Sequence, residues 1–159
     1  MPKKKPSWQE KLRDSKGGPK VLVIEGKLSK RWGEGTVVIP APMEVDGYMR
    51  QVPEGKVTTI NEIRQALAKK HGATIGCPIT TGIFAWIAAN AAEEQKQEGK
   101  TDITPYWRTL KVKGLINEKY PGGTDIQRLL LESEGHTVIQ KGKNYYVKDY
   151  EKALYHIDV

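Results

Sequence analysis

Apolar residues along this chain change their spacing near Val52. Before it, short apolar runs are divided by glycine and proline, the pattern of strands and turns. Val21-Leu22-Val23-Ile24-Glu25 predicts a short buried strand and Gly33-Glu34-Gly35 a turn. Thr36-Val37-Val38-Ile39 predicts a second strand, stopped by Pro40 and Pro42. Past a turn at Pro53-Glu54-Gly55-Lys56 the spacing becomes helical. Ile60, Ile63 and Leu67 fall at i, i+3 and i+7, which predicts a helix capped by Thr58 or Thr59 and running through Ala68. Glu62 stands three residues after Thr59, the capping-box position. His71-Gly72-Ala73 closes this helix, and a second runs from near Pro78 to about Gln97. Two helices joined by a turn make a helix-turn-helix candidate.

An irregular segment follows Lys100, and Leu110–Ile116 fits a wing-like turn or hairpin. Residues 124–135 predict a helix with Ile126, Leu129, Leu130 and Leu131 as its apolar positions. Thr137–Gln140 and Tyr145–Val147, joined by Lys141-Gly142-Lys143-Asn144, predict a terminal hairpin. The fold class is α+β: a winged helix-turn-helix-like domain with short N-terminal strands and a C-terminal β-hairpin. The expected division is a basic, flexible tail over 1–20, a short β-strand region over 21–51, the helix-turn-helix domain over 52–135, and a hairpin extension over 136–159. Within the tail, Trp8 and Leu12 could instead seat a short helix on the body.

With 159 residues the chain is long enough to bury one real core. Charge sharpens the picture. There are 26 Lys and Arg against 19 Asp and Glu, a net +7. Residues 1–20 hold seven basic side chains and two acidic ones, so they supply +5 of that total and leave +2 for the remainder. A basic tail beside a nearly balanced domain suits nucleic acid, where Lys and Arg displace counterions from phosphates; it equally suits a solvated leader. The single cysteine, Cys77, excludes an intramolecular disulfide and a multi-cysteine metal site. Three widely spaced histidines form no ligand cluster, and no metal or cofactor is expected. No apolar run reaches membrane-spanning length and residues 1–20 lack a signal-peptide core, so the expected location is cytoplasmic, nucleoid-associated if the protein binds DNA.

Four motifs occur in a telling order: Val52-Pro53-Glu54-Gly55-Lys56-Val57-Thr58-Thr59, Pro105-Tyr106-Trp107-Arg108, Tyr120-Pro121-Gly122-Gly123, and Leu130-Leu131-Glu132-Ser133-Glu134-Gly135. Together, from Val52 to Gly135, they resemble the alkylguanine-DNA alkyltransferase family. There an I-P-x-G-x-V stretch opens the helix-turn-helix, and a P-C-H-R reactive core is followed by Y-x-G-G and L-L-x-x-E-G. The resemblance implies an alkyltransferase-type winged helix-turn-helix whose second helix lies in the DNA minor groove. It implies a base pocket around Pro105, Tyr106, Trp107, Tyr120 and Glu134.

The departures matter as much. Tyr106 stands at the position of the nucleophilic cysteine and Trp107 at that of its activating histidine. A phenol with a pKa near 10 cannot replace a thiolate as a soft nucleophile at neutral pH, and the base is lost with it. Glu134 matches the outer member of the family's relay and is left to a structural task, bonded to backbone or to Arg108. The family's base-flipping arginine aligns with Thr81, its phosphate-pressing tyrosine with Ile60, and its asparagine with Asn90. The resemblance therefore points away from an enzyme and toward the family's alkyltransferase-like branch, which replaces the cysteine with tryptophan and binds alkylated DNA without repairing it. Tyr106 and Trp107 could stack on an extruded base, or plug the unused pocket as core. Cys77, at the start of the second helix, could be reactive or a small buried residue.

The second helix carries Gly82, Ala85, Ala88, Ala89 and Ala92, small enough for a minor groove. Ile79, Ile83, Phe84, Trp86 and Ile87 also make it apolar almost all round, which suits a buried helix. Candidate DNA contacts are Lys56, Thr59, Arg64, Thr80, Thr81, Asn90, Arg108 and Lys111. The expected function is non-enzymatic binding of duplex DNA through backbone and minor groove, with sensing of alkylated or distorted bases. Its expected partners are duplex DNA and repair or regulatory proteins. The alternatives are a transcriptional regulator or a protein-interaction module that kept the fold and lost damage recognition.

Overall fold

The computed structural model describes residues 5–159; Lys3 and Lys4 of the basic tail lie outside the described residues. In chain order the elements are α1 (Trp8–Arg13), β1 (Lys20–Val23), α2 (Leu28–Trp32), β2 (Thr36–Ile39), α3 (Pro42–Arg50), β3 (Thr58–Thr59), α4 (Ile60–His71), β4 (Ile75–Gly76), α5 (Pro78–Gln97), β5 (Thr109–Leu110), α6 (Gly123–Ser133), β6 (Val138–Lys141) and β7 (Asn144–Val147). Short 3-10 turns at Tyr106–Arg108, Val112–Gly114 and Tyr150–Ala153 complete them. Three small sheets form. β1 runs antiparallel to β2, which runs parallel to β4; β3 pairs in parallel with β5; and β6 pairs with β7 as the expected hairpin.

The helix-turn-helix is α4 and α5. Thr59 is the residue before α4, and its hydroxyl bonds the Glu62 carboxylate rather than a helix amide. Gly72 ends α4 in the left-handed conformation that glycine adopts without steric penalty. A side chain at Gly76, in the connecting strand, would place its Cβ 2.6 Å from the Arg64 carbonyl oxygen, so the turn and helix approach more closely than any other residue allows. Proline opens α5, where its missing N–H costs nothing.

α5 is the axis of the molecule. Its buried face carries Phe84, Ala85, Ile87, Ala88, Ala89, Ala91 and Ala92, which pack with Leu12 of α1, Val45, Tyr48 and Met49 of α3, and Ile63 and Leu67 of α4. A second cluster joins Val57, Leu110, Ile116, Leu131, Val138 and Val147 beneath the hairpin, and a smaller third one joins Ile24, Val37 and Cys77. Cys77 is thus a buried core residue.

Several expectations give way. Trp8 and Leu12 do seat a helix: Trp8 stacks edge-on against Trp86 at 4.8 Å, and the Glu94 carboxylate accepts from the Trp8 and Gln9 backbone amides at 3.0 and 3.1 Å. The anticipated tail is therefore body from Trp8 to Arg13. Residues 42–50, read as part of a β region, form α3, because Pro42 sits at its start and the Glu44 carboxylate accepts the Ala41 amide. β1 is an exposed edge strand, not a buried one. Of the two forms expected for Leu110–Ile116, the turn is the one that forms, the Lys111 amide donating to the Leu115 carbonyl. The phase of α6 also differs. Gln127 and Leu131 face inward, while Ile126 and Leu129 are exposed, Leu129 to 63 %. The polar Gln127 takes the core position because its amide finds a partner at both ends, the Asn117 amide and the Trp107 carbonyl.

Candidate nucleic-acid interface

The four motifs converge on one corner of the fold. The 3-10 turn carrying Tyr106, Trp107 and Arg108 leads into β5, which pairs with β3 ahead of α4. Its approach is anchored by Thr104, whose hydroxyl donates to buried Asp46 of α3 at 2.6 Å. The Tyr120–Gly123 turn follows from backbone geometry. Gly122 and Gly123 both take positive φ (81° and 69°), and a Cβ on Gly122 would lie 2.4 Å from Ile126 Cγ1.

At this corner the aromatic cluster is closed. The Tyr106 ring meets Trp107 and Tyr120 edge-to-face at 5.4 and 5.6 Å, and both tyrosines are buried. Trp107 donates its indole N–H to Glu134 Oε2 at 3.1 Å. Arg108 grips the same carboxylate through Nε (2.9 Å to Oε1) and Nη2 (2.6 Å to Oε2), and gives Nη1 to the Val52 carbonyl at 2.8 Å. Gln127, whose part the sequence did not suggest, locks the turn: its carbonyl accepts the Asn117 amide at 2.9 Å and its N–H donates to the Trp107 carbonyl at 3.2 Å.

Electrostatics follow from burial and partners. Burial pushes the Tyr106 hydroxyl up to about 12, with Glu93 adding to the effect. The Tyr120 hydroxyl is raised by burial too, against a smaller lowering effect of the Asn117 side chain. For Glu134, burial acts to raise the carboxyl, but the bonds from Arg108 and Trp107 outweigh it and hold it below the usual carboxylate value. His136, beside this pair, is pushed down by burial against the pull of Glu134, and its Nε2 is unpartnered.

The expected base pocket is therefore a packed cluster. Pro105, Tyr106, Trp107, Tyr120 and Glu134 come together as anticipated, but none of them lines the adjacent cavity. That cavity, of about 540 Å³, opens on the other side of the turn, between the amino-terminal half of α5 and residues 111–119. Ile60, Ile79, Gly82, Ile83 and Trp86 form one wall, and Lys111, Val112, Asn117, Glu118 and Lys119 the other. Trp86 bridges the two walls by donating its indole N–H to the Lys119 carbonyl at 3.1 Å. The signal was present in the sequence: Ile79, Gly82, Ile83 and Trp86 fall at i, i+3, i+4 and i+7, a stripe distinct from the Phe84–Ala88–Ala91 face.

The candidate DNA contacts divide sharply. Lys56 is exposed, and Lys111, at the cavity rim, lies 3.5 Å from Glu118. Thr80 is half-buried in the first turn of α5. Thr81 is completely buried and Thr59 nearly so, which removes both from any surface. Arg108 is spent on Glu134 and Val52, Arg64 on the Gly76 carbonyl (2.8 Å) and Asn61 (3.1 Å), and Asn90 on the Trp86 carbonyl (2.9 Å). These five residues have structural tasks. Among the described residues no group of His, Cys, Asp and Glu is placed to hold a metal ion, and no helix is long and apolar enough to cross a membrane.

No protein-family model and no curated protein matches the chain. Two solved structures share its fold. S. pombe Atl1, in complex with damaged DNA containing O6-carboxymethylguanine, is 21 % identical with a TM-score of 0.51, over 72 % of this chain and 93 % of that one. S. pombe ATL in complex with DNA is 19 % identical with a TM-score of 0.53 over the same shares. The mixed α+β architecture is thus the winged-helix fold of alkyltransferase-like proteins.

Proposed function

We propose that this protein binds duplex DNA without chemically altering it, and that it receives an extruded or distorted base in the apolar cavity beside α5. The observation that carries this reading is the cavity itself. At about 540 Å³ it falls in the range of small-ligand sites, and it is walled by an exposed indole and the isoleucines Ile60, Ile79 and Ile83, with Lys111, Asn117 and Glu118 at hand for a base edge. Trp86 meets Trp8 and the Lys119 carbonyl, while Ile79 and Ile83 beside it stay exposed, and a base offers a flat π-face to lie on this apolar stripe. The likeness to structures holding DNA supports DNA as the partner.

Alkyl transfer is not part of the proposal. Tyr106, standing where the nucleophile belongs in the resembling family, is buried and its hydroxyl keeps its proton up to about pH 12. Trp107 offers no basic nitrogen, because an indole N–H only donates. Alkylated guanine is the lesion to test first, given the motif order of the chain.

Fluorescence anisotropy of labelled duplexes, one plain and one carrying an O6-alkylguanine, across a salt series tests both halves. The expected result is tighter binding to the modified duplex, a preference that Trp86→Ala removes while leaving plain-duplex affinity in place. Equal, steeply salt-dependent binding of the two duplexes would mean a backbone binder or a sequence-reading regulator. No retention of either duplex would leave the fold to a protein-interaction role.

A further inference from the structure

On the far side of the sheet from the helix-turn-helix surface, β1 presents an open edge. The Ile24 amide donates to Gly35 at 2.9 Å, while the Thr36 and Val38 carbonyls turn the other way to accept from Thr74 and Cys77. Strand alternation then fixes every backbone group of β1. Lys20, Leu22 and Ile24 pair with β2, and the N–H and C=O of Val21 and Val23 point outward. The side chains along this edge are apolar and exposed: Val21 to 43 %, Leu22 to 45 % and Val23 to 66 %. Natural edges are usually guarded by charges, proline or a bulge, and this one has none between Lys20 and Glu25.

We infer that β1 pairs antiparallel with β1 of a second copy of this chain, about a two-fold axis through Leu22. The register follows from the outward groups. Val21 exchanges both of its backbone bonds with Val23 of the other copy, Val23 does the same with Val21, and the two Leu22 residues face each other as a non-hydrogen-bonded pair. Two observations select a second copy over another partner. One is charge: Lys20 stands at one end of the edge and Glu25 at the other, so a second copy run antiparallel brings the complementary charge to both ends. The other is continuity. Ile75, Val37 and Leu22 form one row across β4, β2 and β1, so the two-fold extends an existing apolar row through Leu22 into its own mirror image.

Sedimentation equilibrium of the full chain from micromolar to millimolar concentration tests this, together with three side-chain substitutions at exposed positions 21 and 22 that leave β1–β2 backbone bonding intact. Wild type is expected to dimerise as concentration rises. Leu22→Lys, which places like charges on the axis, is expected to remain monomeric with an unchanged thermal melt. Leu22→Cys is expected to form a disulfide-linked dimer on mild oxidation, because non-hydrogen-bonded pairs stand about 4.5 Å apart at Cα, within disulfide reach. Val21→Cys, which faces Val23, is expected not to cross-link. A wild type that stays monomeric throughout the range would overturn the inference. So would a dimer that survives Leu22→Lys, or cross-linking through position 21 in preference to 22.

Discussion

The Arg108–Glu134 pair shows at the level of single residues how a buried charge is held by several partners at once. Both side chains are largely buried, and Glu134 accepts from Arg108 and Trp107 at once. Truncating one partner leaves the other charged and desolvated, so Arg108→Ala is expected to lower stability by about 3 kcal/mol, read as the urea midpoint. The pair also sets a pH dependence with its neighbour His136. Glu134 is held below its ordinary 4.5, so its contribution is full above that pH and is lost as pH falls through the folded-state value. His136 is held below 6.5, chiefly by burial. The unfolded chain therefore takes up that proton first, and stability declines as pH drops below 6.5. Melting temperature is expected to fall between pH 7 and pH 5, and His136→Phe is expected to flatten that decline while leaving the steeper loss at lower pH.

At the scale of elements, local rules made α4, α5 and the β6–β7 hairpin legible, because each carries its own periodicity and punctuation. They failed where long-range contacts decide. α3 has a glycine near its centre, and its local start signals at Pro42 and Glu44 take effect because Val45, Tyr48 and Met49 are buried against α5. An apolar run such as Val21–Ile24 reads the same at the edge of a sheet as at its middle, and only the topology distinguishes them. In α6 the sequence offered four apolar residues for one face, and bonds from Asn117 and to Trp107 gave the inner position to Gln127 instead. The motifs around the site were visible as an order of residues, and their closed packing was not, since nothing local separates an aromatic lining from an aromatic plug. The Tyr120–Gly123 turn is the exception where one residue decides an element. Gly122 combines positive φ with a Cβ position already filled by Ile126, so Gly122→Ala is expected to cost about 2 kcal/mol in chemical denaturation.

Across the whole molecule, charge and shape are separated, and this separation makes the function testable in two parts. The cavity is apolar and lies on α5, while the basic excess is concentrated near the amino terminus, of which Trp8–Arg13 is fastened to α5 by Trp8, Gln9 and Glu94. Non-specific affinity for DNA rises from neutralised phosphates and weakens with salt, whereas preference for one base depends on the cavity and is insensitive to distant charge. Removing residues 1–4 takes away Lys3 and Lys4 without touching α1. If both contact phosphates, the slope of log affinity against log salt is expected to fall by about 2. The ratio of affinities for modified and plain duplex is expected to stay constant. Trp86→Ala is expected to do the reverse, erasing the ratio and sparing the slope. A modified-duplex preference that disappears with residues 1–4 and survives Trp86→Ala would place base recognition outside the cavity, and with it the meaning of the exposed stripe on α5.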